Sequence, residues 1–279
     1  MHDGKVRVIN GSEASISSQP NSLRTSWAIQ RRVLGALFLR EILTRYGRHN
    51  IGFMWLFVEP MLFTLGVTAL WTATDAIHGS KLPIIAFAVT GYSSVLLWRN
   101  MPSRCVDALE PNRSLLYHRN VRVIDVFIMR LALEAGGASI SFVVLSIFFI
   151  AIGQMSVPED VLQVVAGWLM LIWFGISLGL TMGAMAQRYE IVEKIWHPLS
   201  YLLFPLSGAV FLLNSVTSGA RELLLYLPMV SGVEYMREGY FGSEIVAHYD
   251  IGYMAVCNLL LSFFGLRQLA IVAEELTLE

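Results

Sequence analysis

The chain has 279 residues, 55% hydrophobic and only 15% charged, against about 25% charged in an ordinary soluble domain. Its mean hydropathy is +0.58 and its formal net charge is −1. This composition excludes a disordered chain, a disulfide-stapled secreted scaffold and an ordinary cytosolic enzyme, and it describes a polytopic membrane protein.

Residues 1–25 are polar, with Gly, Ser, Asn and Pro throughout. They read as a flexible cytosolic tail, with no cleavable signal peptide visible. Residues 26–50 form a second unit. In it Trp27, Val33, Leu34, Leu37, Phe38, Ile42, Leu43 and Tyr46 recur at steps of three and four. Arg31, Arg32, Arg40, Glu41, Arg45 and Arg48 supply the polar face. The pattern suits an amphipathic helix in the inner interface with arginines at phosphate level. A soluble helix packed on the same chain fits it too, and either lies beside the membrane.

Residues 51–279 hold six hydropathic spans, at about 51–74, 82–98, 131–152, 161–186, 198–213 and 251–266. The second, fifth and sixth are short and need flanking residues to reach the interfaces. Orientation follows from the basic residues. With the N-terminus inside, only Lys81, Arg221 and Arg237 lie outside, leaving 17 of the 20 in the cytosol. Both termini are therefore expected in the cytosol. The cytosolic stretch 99–125 suits a helix broken at Pro111, and its length makes it either a docking surface or a solvated connector. The outer stretch 214–250 holds two short apolar helical pieces, at 220–227 and 229–239, separated by Pro228. They are too short to span, so they are either re-entrant or flat on the outer surface.

Catalytic patterns are missing. The sequence contains no G-x-x-x-x-G-K-[ST] phosphate loop, no H-E-x-x-H, no Cys/His cluster and no G-x-S-x-G elbow. Cys105 and Cys257 lack metal-ligand spacing, and the six histidines are scattered singly. Within the spans Glu59 stands out, since an ionisable group there costs free energy. It fits either an ion pair with an arginine of the inner helix or a protonated state. Arg130 and Glu134, four apart, suit an intrahelical pair. Trp55, Trp71 and Trp98 fit an aromatic belt. Trp168 and Trp173 sit within the fourth span, where core packing explains them better than sugar stacking. Gly175, Gly179 and Gly183 make a close-approach ridge for another helix, in the same chain or in a second copy.

Four runs carry a resemblance. LFLREILTRYGRHNIGFMWLFVEPM at 37–61 resembles the start of ABC-2 type permeases of capsular polysaccharide exporters, the KpsM-like group. NRSLLYHRNVRVIDVFIMRLALE at 112–134 is similar to that group's cytosolic loop entering the third span. FPLSG at 204–208 resembles its fifth span, and LPMVSGVEYMREG at 227–239 its outer re-entrant segment, with Glu234 and Arg237 in E-x-x-R spacing. Two positions depart from the group's pattern: Leu227 stands where an Asn often precedes the proline, and Val123 where a Pro often precedes Ile-Asp.

The resemblance implies an all-α polytopic fold: six transmembrane helices, an N-terminal interfacial helix and a short re-entrant pair in the last outer loop. It implies a permease that moves lipid-linked capsular polysaccharide across the bacterial inner membrane. Two copies would surround a canal, with two soluble ATPase subunits below. Mg-ATP would be bound there, and no cofactor on this chain. A periplasm-spanning inner-membrane adaptor and an outer-membrane polysaccharide pore would be further partners; nucleic acid would not. Within the resemblance, Ser103, Asp107, Glu110, Arg113, Tyr117 and His118 would couple to the ATPase. Arg40, Arg45 and Arg48 would meet the acidic end of the lipid-linked glycan at a lateral entrance. Trp55, Glu59, Tyr92 and Trp173 would line the canal, and Pro228, Glu234 and Arg237 would shape the outer segment. Other lipid-linked glycans, O-antigen or teichoic acid, fit the same class. A membrane-embedded glycan or lipid transferase would need an acid, base or metal constellation that the sequence does not display, and a secretion scaffold would leave ATP hydrolysis indifferent to the 103–118 loop.

Overall fold

A computed structural model describes residues 23–46, 54–74, 82–112, 116 and 121–278. Among these residues every regular element is helical. Nine α-helices follow in order: α1 (Leu23–Tyr46), α2 (Trp55–Ala73), α3 (Ile84–Val106), α4 (Val123–Ala151), α5 (Val161–Arg188), α6 (Glu190–Leu206), α7 (Ser218–Leu225), α8 (Pro228–Phe241) and α9 (Ile251–Leu278). Most of the expected polar tail, together with Arg48, Arg113, Tyr117 and His118, lies outside the described residues.

Four helices are long and apolar enough to cross a membrane: Trp55–Ala73, Val123–Ala151, Val161–Arg188 and Ile251–Leu276. The second and fifth expected spans differ from these. α3 is a continuous helix of 23 residues, but its inner third carries Arg99, Asn100, Pro102 and Arg104. α6 has 17 residues, starts on Glu190, Glu193 and Lys194, and stops at Leu206 rather than reaching 213. The expected connector 99–125 overlaps helical residues at both ends. α3 runs on through Arg104 to Val106, and α4 begins at Val123, eight residues before the expected third span. Between them the described residues hold a 3-10 turn at Glu110–Asn112, which contains Pro111, and Leu116 is again helical.

Local chemistry sets these ends. Asp125 accepts from the Arg122 backbone N–H at 3.0 Å, starting α4. Asp160 accepts from Gln163 N at 2.9 Å, starting α5, and Asp250 from Tyr253 N at 2.8 Å, starting α9. Pro228 occupies the first turn of α8, where its missing N–H costs nothing. Gly208 with φ 78° and Gly242 with φ 53° turn the chain after α6 and α8.

α5 is the central post, packed on α3, α8 and α9. The glycine ridge is an internal seam. A Cβ on Gly179 would come within 2.7 Å of Leu131 Cδ2, and one on Gly183 within 2.8 Å of Cys105 Cβ. Close backbone approach lets α3 and α4 lie against α5. The tryptophans of α5 pack within the bundle. Trp168 stacks on Phe142 with ring centroids 4.5 Å apart and donates to Ser139 Oγ at 2.8 Å. Trp173 donates to Ser262 Oγ of α9 at 3.1 Å. On α2, Pro60 cannot donate to the carbonyl of Leu56. A Cβ on Gly137 of α4 would lie 2.6 Å from that oxygen, so glycine is what lets the two helices meet there.

A side chain in the seam must displace backbone, whereas one on Gly66 of α2 meets nothing within 4 Å. Gly183→Ala is expected to cost about 1–3 kcal/mol through overpacking, and Gly66→Ala to be neutral. Thermal unfolding of the purified variants in detergent checks this; equal midpoints would contradict the seam.

Candidate functional site

Two polar clusters interrupt the apolar bundle. The first lies at the end of the bundle where α3 ends and α4 begins. A cavity of about 320 Å³ opens between α2, α3 and α6, with Glu59, Tyr92, Arg99, Asn100, Ser103 and Tyr201 among its walls. Helical spacing puts them on common faces: Tyr92, Leu96, Arg99 and Ser103 recur at steps of three and four on α3, as do His197, Ser200 and Tyr201 on α6. Arg99 lies over the ring of Tyr201, 4.9 Å from its centroid. Trp196, almost fully buried, donates from Nε1 to Ser103 Oγ at 2.9 Å and holds α6 to α3.

At the inner end of the cavity Arg104 sits between two carboxylates, 3.7 Å from Glu59 Oε1 and 3.4 Å from Glu134 Oε1. An arginine therefore does reach Glu59, from α3. Arg130 and Glu134 pair across helices instead of along one. Arg130 meets Glu41 of α1 at 2.9 Å and donates to the carbonyls of Arg104 and Asp107 at 2.7 and 2.9 Å. Arg40 donates to Asn112 Oδ1 at 2.6 Å and to the carbonyl of Pro111 at 3.0 Å. Asn112 in turn donates to the carbonyl of Ala108 at 2.9 Å.

The residues singled out in the sequence fall unevenly on this geometry. Glu59, Tyr92, Ser103 and Asp107 share the cavity. Trp55, half exposed at the start of α2, and Trp173 are not among its walls. Glu110 is exposed in the 3-10 turn. Arg45 lies in α1, with its side chain outside the described set. Sequence reasoning missed Arg99, Asn100, Arg104 and Tyr201. The signal available was the run of polar residues in the inner third of a helix otherwise buried on all sides.

The second cluster is outer and buried. Arg237 of α8 is fully buried, and its guanidinium donates to four carbonyls: Gly208 at 2.5 Å, Ala209 at 2.6 Å, Phe211 at 3.1 Å and Phe87 at 3.3 Å. Its Cζ lies 3.8 Å from the centroid of the Phe87 ring. Gly91 of α3 leaves room, since a Cβ there would collide with the guanidinium and with the Ala209 carbonyl. Glu234, one turn earlier and also fully buried, accepts from the backbone N–H groups of Leu213 and His248, each at 3.3 Å. Ser231 Oγ accepts from Asp250 N at 3.1 Å. One face of α8 thus fastens the chain on both sides of the outer segment. On its opposite rim Gln163 of α5 donates to Glu238 at 2.7 Å, and Tyr249 donates to the same oxygen at 2.7 Å. That bond pushes the Tyr249 hydroxyl up to about 12, so it stays a donor at any physiological pH.

Among the described residues no group of three or more His, Cys, Asp or Glu stands together as a metal site. Residues 32–241 match the model of the ABC-2 type transporter family. The chain is similar to the capsule polysaccharide export inner-membrane protein CtrC of Neisseria meningitidis serogroup B, 45% identical over 245 residues, covering 88% of this chain and 92% of that one. It is 43% identical over the same shares to the capsule polysaccharide export inner-membrane protein BexB of Haemophilus influenzae. It is 28% identical over 249 residues to the polysialic acid transport protein KpsM of Escherichia coli, covering 87% and 94%.

Replacing Arg237 strips a charged donor from four buried carbonyls, at about 1–3 kcal/mol for each group left unsatisfied. Arg237→Met is expected to yield almost no folded chain. Arg237→Lys, which cannot spread its donors over the same fork, falls between it and the parent. Size-exclusion profiles after graded heating in detergent measure this; a Met variant as stable as the parent would contradict it.

Proposed function

The chain belongs to the ABC-2 type transporter family, and on that premise we propose that it is the permease subunit of a capsular polysaccharide exporter in the bacterial inner membrane. The observation that carries this reading is the near full-length similarity to capsule export proteins. The chain is the membrane component, and ATP hydrolysis belongs to a separate subunit. Capsule is favoured over O-antigen or teichoic acid because the relatives named for a substrate are named for capsule or polysialic acid.

Six crossings, with both termini in the cytosol, suit this function: α2, α3, α4, α5, α6 and α9. α3 crosses despite its polar inner third because neighbours bury it on most sides. α6 crosses despite its length because residues 207–213 continue it as a buried, irregular segment, tolerated at membrane depth where protein surrounds it. α7 and α8 form the re-entrant pair around Pro228, with Glu234 and Arg237 as its internal fasteners. Residues 1–25 serve as a cytosolic tail, 26–50 as the interfacial helix and 51–279 as the transmembrane domain.

The mechanism follows from where charge sits. Two copies face each other across a canal to which each contributes its inner cavity. Tyr92 and Tyr201 give flat faces for sugar rings, while Asn100, Ser103 and Ser200 give hydroxyl partners. Many weak contacts suit a polymer that must keep moving. Trp55 stands at the mouth and Trp173 behind the wall. The connector between α3 and α4, with Asp107, Glu110, Arg113, Tyr117 and His118, meets the ATPase, whose closure favours one arrangement of helices over another. α1 borders the lateral entrance for the lipid-linked end, with Arg45 and Arg48 carrying positive charge for its phosphate. Export then continues through an inner-membrane adaptor and an outer-membrane pore.

Deleting the gene in its native host and quantifying polymer inside and outside the cell tests this. The expected result is polymer retained inside, at least tenfold lower at the surface, and restored by the plasmid-borne chain. Unchanged surface polymer would overturn the reading. In the same host, Glu110→Arg is expected to weaken co-purification of an ATPase subunit, and undiminished recovery would remove Glu110 from the contact.

A further inference from the structure

α1 is attached to the bundle in an unusual way. Only Leu37 and Ile42 of its described side chains are buried, and Ile42 joins a small apolar cluster with Leu56, Leu133 and Phe38. The rest of the attachment is polar, spread along one side. Gln30 Nε2 donates to Asp125 Oδ1 at 2.5 Å, Arg40 to Asn112 and Pro111, and Glu41 meets Arg130. These points span 12 residues, Gln30 to Glu41, a rise of about 16 Å along the helix. All their partners belong to the connector between α3 and α4 or to the inner turns of α4. Arg130 also holds the last carbonyls of α3, so the same side chain fastens α1, α3 and α4. Arg40 is thereby engaged with the protein's own backbone, with two donors committed to the connector turn. A charge set aside for a lipid phosphate would face outward instead.

We infer that α1 is latched to the connector through Arg40–Asn112 and to the start of α4 through Glu41–Arg130, and moves with that unit as one body, which makes Arg40 a positioning residue for export. This rests on the reading that the connector meets the ATPase. An element held by a small apolar contact and several directional polar ones follows the element that carries its partners, because sliding forfeits all of those bonds together. Closure of the ATPase below displaces the 110–112 turn. The latch carries that displacement to α1, opening or closing the lateral entrance in step with nucleotide. The connector alone would otherwise move the spans while leaving the entrance where it was.

The test uses the whole complex in proteoliposomes, reading vanadate-sensitive ATP hydrolysis and polymer export together. The double variant Arg40→Ala, Glu41→Ala, both changes on α1, is expected to keep hydrolysis within twofold of the parent and to lose at least tenfold in export. Asn112→Asp keeps an oxygen acceptor for Arg40, and export is expected to stay within threefold. Spin labels at Leu39 and Arg122, both exposed, are expected to give the same separation in nucleotide-free and vanadate-trapped parent complex, and a broadened one in the double variant. Hydrolysis and export falling in step, export unchanged in the double variant, or a 39–122 separation that shifts on trapping would each overturn the latch. A parent complex that exports but is matched by the double variant sinks the latch alone; one that neither hydrolyses nor exports sinks the exporter reading as well.

Discussion

The structure depends on one unsolvated cation. In a membrane every backbone group must find a partner within the protein, and the chain breaks helical pairing after α6, at 207–213, where water is scarce. The carbonyls of Gly208, Ala209 and Phe211 have no helical N–H to receive. Arg237 supplies the donors from a separate helix, and the broken backbone supplies the partners the guanidinium needs. Each would be costly alone, and together they fix α8, the 207–213 turn and the outer end of α3 in one arrangement. Glu234 does the complementary work, accepting the N–H groups of Leu213 and His248.

The inner half solves a different problem with similar parts. There the polar residues are arginines and glutamates near the interface, where partial hydration lowers their cost. Arg104 between Glu59 and Glu134, and Arg130 between Glu41 and two carbonyls, make a network that crosses α1, α2, α3 and α4. Such pairs contribute little net stability when exposed but specify geometry when partly buried. The outer half is therefore fastened by backbone saturation and the inner half by exchangeable ion pairs.

Much of this was legible in the sequence, and the failures have physical causes. The four strongly apolar helices and the outer pair around Pro228 could be read from hydropathy and spacing, since each depends on local pattern, whereas Glu234 and Arg237 stood out only through the family resemblance. The glycine ridge was legible as a close approach, but its partners, Cys105 and Leu131, were not, because a ridge does not name what it meets. That α3 runs on to Val106 was not legible, because the charged residues after Trp98 look like a loop when burial is unknown. The partner of Trp173 Nε1, Ser262 of α9, was not legible because it lies 89 residues away in sequence. Arg130 and Glu134 looked like an i, i+4 pair because the helices that supply their partners lie far away in sequence.

The central claim is that α3 and α6 cross the membrane although neither is long and apolar enough by itself. Sidedness of single cysteines tests it most directly. In a chain with Cys105 and Cys257 replaced by Ser, a membrane-impermeant thiol reagent would be applied to intact inner-membrane vesicles of each orientation. Glu110→Cys is expected to react only from the cytosolic side and Val157→Cys only from the other. Glu193→Cys should again react from the cytosolic side and Glu222→Cys from outside. Labelling of Glu110→Cys and Val157→Cys from the same side, or of Glu193→Cys and Glu222→Cys from the same side, would show that α4 or α6 fails to cross as described. Pro83→Cys, exposed at the start of α3, should react only from the side opposite Glu110→Cys, and labelling of the two from the same side would contradict the crossing of α3.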